Sequence, residues 1–217
     1  MFQAAEWKKS VELDPKNPAA RNNLANYNGH SGSITQAFAY YTKAIELQPK
    51  EPLYYQNFGD TVYLFRRDAT NYFKISEQEV FDKAMALYHK AQELDPTNFL
   101  IATEIAQSYY GMKPPTTGTA EGDRKAAQKF HQDALDAWKK AYALAGDDTE
   151  RQGVLLHFAR IQINAGMYDE ARKNLNSVTN ETFATTKKTL TKKLESRIAK
   201  ESSPTNAPAI NLPSQIK

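Results

Sequence analysis

Apolar residues recur along this chain at steps of three and four, with small ones set between large ones. Ala37, Tyr41, Ala44 and Leu47 fall on one face of a helix, the periodicity of 3.6 residues per turn. Small Ala37 and Ala44 let a neighbouring helix approach, and Tyr41 fills the gap between them. The stripe returns as Ala84, Tyr88 and Ala91, and again as Ala134, Trp138 and Ala141. Pro49, Pro96 and Gly146 stop these three helices, and Pro15 stops an earlier, weaker version around Trp7 and Ser10. Pro15 and Pro49 are 34 residues apart. That spacing means one structural unit repeated.

A second helix fits ahead of each stripe. Asn17-Pro18 predicts an N-cap followed by proline in the first turn. Ser33 with Gln36 three residues on predicts a capping box for the next helix, and Ser76 with Glu79 predicts another. The leading helices are expected at about 18–29, 52–66, 98–111 and 150–165. Each is centred on a large-small pair: Leu24-Ala25, Phe58-Gly59, Ile105-Ala106 and Phe158-Ala159.

Ala37-x-x-x-Tyr41-x-x-Ala44-x-x-x-x-Pro49 resembles the second helix of a tetratricopeptide repeat. Asn23-Leu24-Ala25 and Asn57-Phe58-Gly59 resemble its first helix. Gln3-x-x-x-Trp7-x-x-Ser10, Ala84-x-x-x-Tyr88-x-x-Ala91, Ala134-x-x-x-Trp138-x-x-Ala141 and Gly166-x-x-x-x-Ala171 continue the series over residues 3–180. The resemblance implies an all-α, right-handed superhelical solenoid of antiparallel helix pairs, with about ten helices. The repeats occupy residues 1–180 and open on a half-repeat whose first helix is missing. That opening predicts an excised fragment, or an end that packs on something else.

Two interruptions break the beat. Pro49 to Pro96 carries 13 residues beyond one period, near 68–78. Pro96 to Gly146 carries 16, near 112–128, including the loop Lys113-Pro114-Pro115-Thr116-Thr117-Gly118-Thr119. Residues 123–132 are expected to lengthen the following helix. Both insertions fall at the same turn of consecutive repeats, where they make either a binding edge or tolerated surface loops. Phe183, Leu190, Leu194 and Ile198 predict a capping helix over 181–200. Pro204, Pro208 and Pro213 predict a disordered tail over 201–217.

In the resembling family the first helices line a concave groove. The residues before each large-small pair are Asn23, Asn57, Glu104 and His157; those after are Asn26, Asp60, Gln107 and Arg160. Side-chain amides offer a donor and an acceptor, so they suit an extended peptide backbone. Tyr63 and Tyr110 are expected beside them, where aromatics favour protein contacts. The carboxylate clamp of chaperone-binding members needs Lys and Arg here. Asn22, Asn26, Gln56, Asp60, Thr103 and Gln107 stand at the candidate positions, with no basic pair.

Charge sharpens this picture. The net charge is +3, but residues 181–200 carry +4 and the body about −1, so nucleic acid is not the expected ligand. The basic last helix, its stripe interrupted at Thr186 and Lys187 and without Trp, reads as a solvated cap rather than a membrane surface helix. With no cysteine there is no disulfide and no thiolate metal site. The four histidines are scattered without metal-binding spacing, and no phosphate loop or GxSxG is present. No metal, cofactor or catalytic residue is expected, and the chain reads as non-enzymatic. The expected function is a scaffold or adaptor holding a peptide or partner segment in the groove. The alternatives are a module that self-associates through its N-terminal half-repeat, and a regulatory domain of a larger enzyme or secretion-system protein. No apolar run spans a membrane, and the residues fit a soluble protein of the cytoplasm or the bacterial periplasm.

Overall fold

A computed structural model describes residues 2–201. These residues form eleven α-helices and no strand. The helices are α1 (Phe2–Leu13), α2 (Pro18–His30), α3 (Ile34–Leu47), α4 (Pro52–Leu64), α5 (Arg66–Phe73), α6 (Glu77–Leu94), α7 (Phe99–Ser108), α8 (Ala120–Leu144), α9 (Asp148–Asn164), α10 (Tyr168–Asn176) and α11 (Ala184–Glu201). A 3₁₀ turn, Glu181–Phe183, leads into α11. The chain divides into two compact units, residues 1–144 and 145–217. The disordered tail expected over 201–217 lies outside the described residues from 202 onward; Glu201 itself ends α11.

The first unit is a run of helical hairpins: α2 with α3, α4 with α6, and α7 with α8. Local chemistry sets their starts. The Asn17 side chain accepts from Ala20 N at 2.9 Å, and Asn98 does the same for Ile101 N at 3.2 Å. Ser76 and Glu79 close a reciprocal capping box. Ser33 does not: it precedes α3, but its side chain makes no capping bond. The stripe residues Ala37, Tyr41, Ala44, Ala84, Tyr88 and Ala91 are all buried in one core. Burial of that stripe, rather than helix propensity, holds each hairpin together.

The helix beyond the expected ten is α5. The extra residues between α4 and α6 fold into this eight-residue helix rather than a loop. It packs on α3, α4 and α6. Ala69 is fully buried, and the Phe73 ring lies 5.4 Å from Phe38 and 6.4 Å from Phe58. In the second interruption, residues 112–119 precede α8, and α8 reaches back to Ala120.

The second unit pairs α9 with α10 and lays α11 on both. Its core comprises Leu156, Ala159, Ile163, Ala171, Leu175, Val178, Leu190 and Leu194, with Phe183 and Ile198 packed at its edge.

Candidate functional site

Sequence places Asn26, Asn57 and Asp60 on two leading helices, and the fold brings them to one cavity. It has a volume of about 450 Å³, within the range of ligand-binding pockets. α2 contributes Asn26, Gly29 and His30; α3 contributes Tyr41; α4 contributes Asn57, Asp60, Thr61 and Leu64, followed by Phe65. The lining therefore combines amide, hydroxyl and carboxylate groups with the apolar Leu64 and Phe65.

Its polar wall is held in place by the tyrosines of the stripe. The Tyr41 hydroxyl donates to Asn26 Oδ1 at 2.5 Å and accepts from Thr61 Oγ1 at 3.1 Å. It thereby ties α3 to α2 and α4. Burial pushes the Tyr41 phenol up to about 12, so this donor keeps its proton. Asn57 Nδ2 donates to Asn22 Oδ1 at 3.1 Å, joining the two leading helices directly. In the next repeat the Tyr88 hydroxyl donates to Asp60 Oδ1 at 2.7 Å. Burial and the charge of Asp60 hold the Tyr88 phenol well above its ordinary range.

Glu104 extends the row onto α7. Its Oε1 accepts from Gln56 Nε2 at 2.9 Å, while its Oε2 is buried with no hydrogen-bond partner. Burial, then the charge of Asp60, push its carboxyl up to about 7. Burial also raises Asp60, against the lowering hydrogen bond from Tyr88.

The remaining predicted residues are dispersed. Asn23 is half-buried on α2, and Gln107 is exposed on α7; neither lines the cavity. Tyr63 packs between the Phe81 ring at 5.9 Å and the Arg66 guanidinium at 6.0 Å. Tyr110 lies 6.2 Å from the Trp138 ring and is 40% exposed. His157 and Arg160 belong to α9, in the second unit. Burial and the Arg160 charge pull the His157 imidazole down to about 4, so it is neutral at pH 7.

Six cavity residues were not predicted as contacts: Gly29, His30, Tyr41, Thr61, Leu64 and Phe65. A partial signal existed in Thr61, four residues after Asn57 and therefore on the same face. Leu64 is 66% exposed at the end of α4, an apolar residue off the packing stripe.

Residues 18–51, which are α2, α3 and their flanks, match the family model of the tetratricopeptide repeat. That segment is a tetratricopeptide repeat. Solved structures with a similar fold include YrrB, described as a TPR protein with an unusual peptide-binding site. It has 18% identity and a TM-score of 0.62, over 91% of this chain and 84% of that one. MamA is similar at 14% identity and a TM-score of 0.57, over 91% and 88% of the two chains. A thermophilic TPR protein of Thermus thermophilus is similar at 14% identity and a TM-score of 0.55, over 90% and 89%. No curated protein matches the sequence. At these identities the likeness carries the fold, and the tetratricopeptide architecture supports a role as a protein-interaction scaffold. Among the described residues no helix is long and apolar enough to cross a membrane. No three His, Asp or Glu side chains among them gather as a metal site.

Proposed function

We propose that this tetratricopeptide repeat protein is a non-enzymatic adaptor. Its first unit holds an extended segment of a partner polypeptide across the leading helices α2, α4 and α7. The cavity at Asn26, Asn57 and Asp60 carries this reading. Its amides are already ordered by Tyr41 and Asn22, so little side-chain freedom is lost when a ligand binds. Each amide has donor or acceptor capacity left over for a peptide group. Leu64 and Phe65 offer apolar area for a side chain of the same segment. The peptide-binding site named for YrrB, a protein of similar fold, favours the same use.

Asn23, Gln107 and Tyr110 belong to this proposal as outer contacts of the segment. His157 and Arg160 would be contacts of the second unit. Co-purification of partners with the wild type and with Asn23→Ala/Asn57→Ala/Gln107→Ala tests the site. Loss of the partners is expected, with helical content unchanged by circular dichroism. Undiminished recovery would remove the leading-helix face as the binding surface.

A further inference from the structure

The cavity holds one carboxylate, and it lacks a counter-charge. Among the described residues, no ion pair involves Asp60 or Glu104. The two are held near each other by construction. Gln56, which donates to Glu104, stands one helical turn before Asp60 on α4, so both carboxyls meet the same stretch of that helix. Gln56 from α4 donates to Glu104, Tyr88 from α6 donates to Asp60, and His30 and Tyr41 share the cavity lining with Asp60. None is a lysine or arginine. Two carboxyls in one half-buried place raise each other's free energy when ionised. Burial pushes the Glu104 carboxyl up, and the charge of Asp60 pushes it the same way. A cation placed there relieves that repulsion.

The rest of the lining selects which cation. Leu64 and Phe65 share the cavity lining with Asp60, and an aliphatic stem lies well along such surface with its charged head beyond. The space, about 450 Å³, suits a long side chain together with its backbone. We infer that this cavity takes a lysine or arginine side chain of the partner segment, its head group at Asp60 with Glu104 behind. The inference rests on the peptide-binding reading and names the chemistry that the segment must carry. An acidic residue there would meet like charge, and an apolar one would strip water from Asp60 without replacing it.

Fluorescence anisotropy on the full chain tests this with four fluorescein-labelled nonapeptides. They are built of Ser, Asn and Ala and differ only at the central residue: Lys, Arg, Met or Glu. The Lys and Arg peptides are expected to bind about tenfold more tightly than the Met peptide, with Glu weakest. Asp60→Asn keeps an acceptor for Tyr88. It should reduce the Lys-over-Met preference to about twofold or less. Glu104→Gln should narrow the preference in part, and Asn57→Ala should weaken all four peptides alike. Equal binding of the four, a preference for Glu, or a Lys preference that survives Asp60→Asn overturns the inference and leaves the peptide reading standing. No binding of any peptide at millimolar concentration overturns both.

Discussion

Tyr41 and Tyr88 each serve two purposes at the scale of one residue. The ring fills the space between helices, and the hydroxyl fixes a polar side chain of a leading helix. Gly59 shows how tightly this is built. A Cβ there would stand 2.8 Å from the Tyr88 ring, and that ring cannot retreat without breaking its bond to Asp60. Alanine gains up to about 1 kcal/mol of helix propensity over glycine, but overpacking a core costs about 1–3 kcal/mol. Gly59→Ala is therefore expected to lower stability by about 1 kcal/mol in urea unfolding. Titration gives a second prediction. Glu104 holds its proton more tightly folded, at about 7 against an ordinary 4.5, so its stabilisation is full below pH 4.5 and lost as pH rises to 7. His157 has the opposite sign, about 4 against 6.5; its contribution is full above pH 6.5 and lost as pH falls towards 4. Both tryptophans, Trp7 and Trp138, lie in the first unit, so their fluorescence follows Glu104. Glu104→Gln should gain on the wild type as pH rises from 5 to 8. His157→Gln, followed by circular dichroism, should gain as pH falls from 7 to 4.5. Profiles parallel to the wild type would refute these assignments. The stripe was legible in the sequence because period and residue size both speak of packing. The hydroxyl partners were not, since Asn26 and Thr61 meet Tyr41 only once three helices are assembled.

At the scale of the element, two helix starts were legible in caps, Asn17 and Ser76, and prolines marked the ends of α1, α3 and α6. Ser33 makes no capping bond, and Asn98 caps α7 without having been read as a cap. The inserted α5 has no such punctuation. Phe65 precedes it without a side-chain cap, and Lys74 ends it in the left-handed region, at φ 59°, where glycine is usual. Its helical state depends on docking Ala69, Tyr72 and Phe73 against α3 and its neighbours, which no local pattern reveals. The Lys83 ammonium also sits 4.4 Å from the Phe73 ring. Phe73→Ala is expected to cost about 2 kcal/mol in urea unfolding, below the 3–5 kcal/mol of a fully buried phenylalanine. A cost under about 0.5 kcal/mol, the range of surface substitutions, would show that α5 adds nothing to the core.

At the scale of the molecule, repetition gives one unit a row of leading helices, and each repeat then varies what that row presents. Asparagine dominates on α2, an acid enters on α4, and another stands on α7. Repeat architectures bind through such stacked faces because every unit offers the same position to the same side. The 34-residue beat therefore located the row, and seven of the ten predicted contacts fell outside the cavity because a row is not yet a pocket. The cavity forms where α2, α3 and α4 meet. Site-specific photocrosslinking in the native host tests the central claim most directly. A benzoylphenylalanine at Asn57 or Leu64 should yield adducts to one short, Lys- or Arg-containing segment of a partner, mapped by mass spectrometry. The same group at Lys43, exposed on α3, should yield none. Adducts from Lys43 alone, or equal adducts from all three positions, would contradict binding across the leading helices.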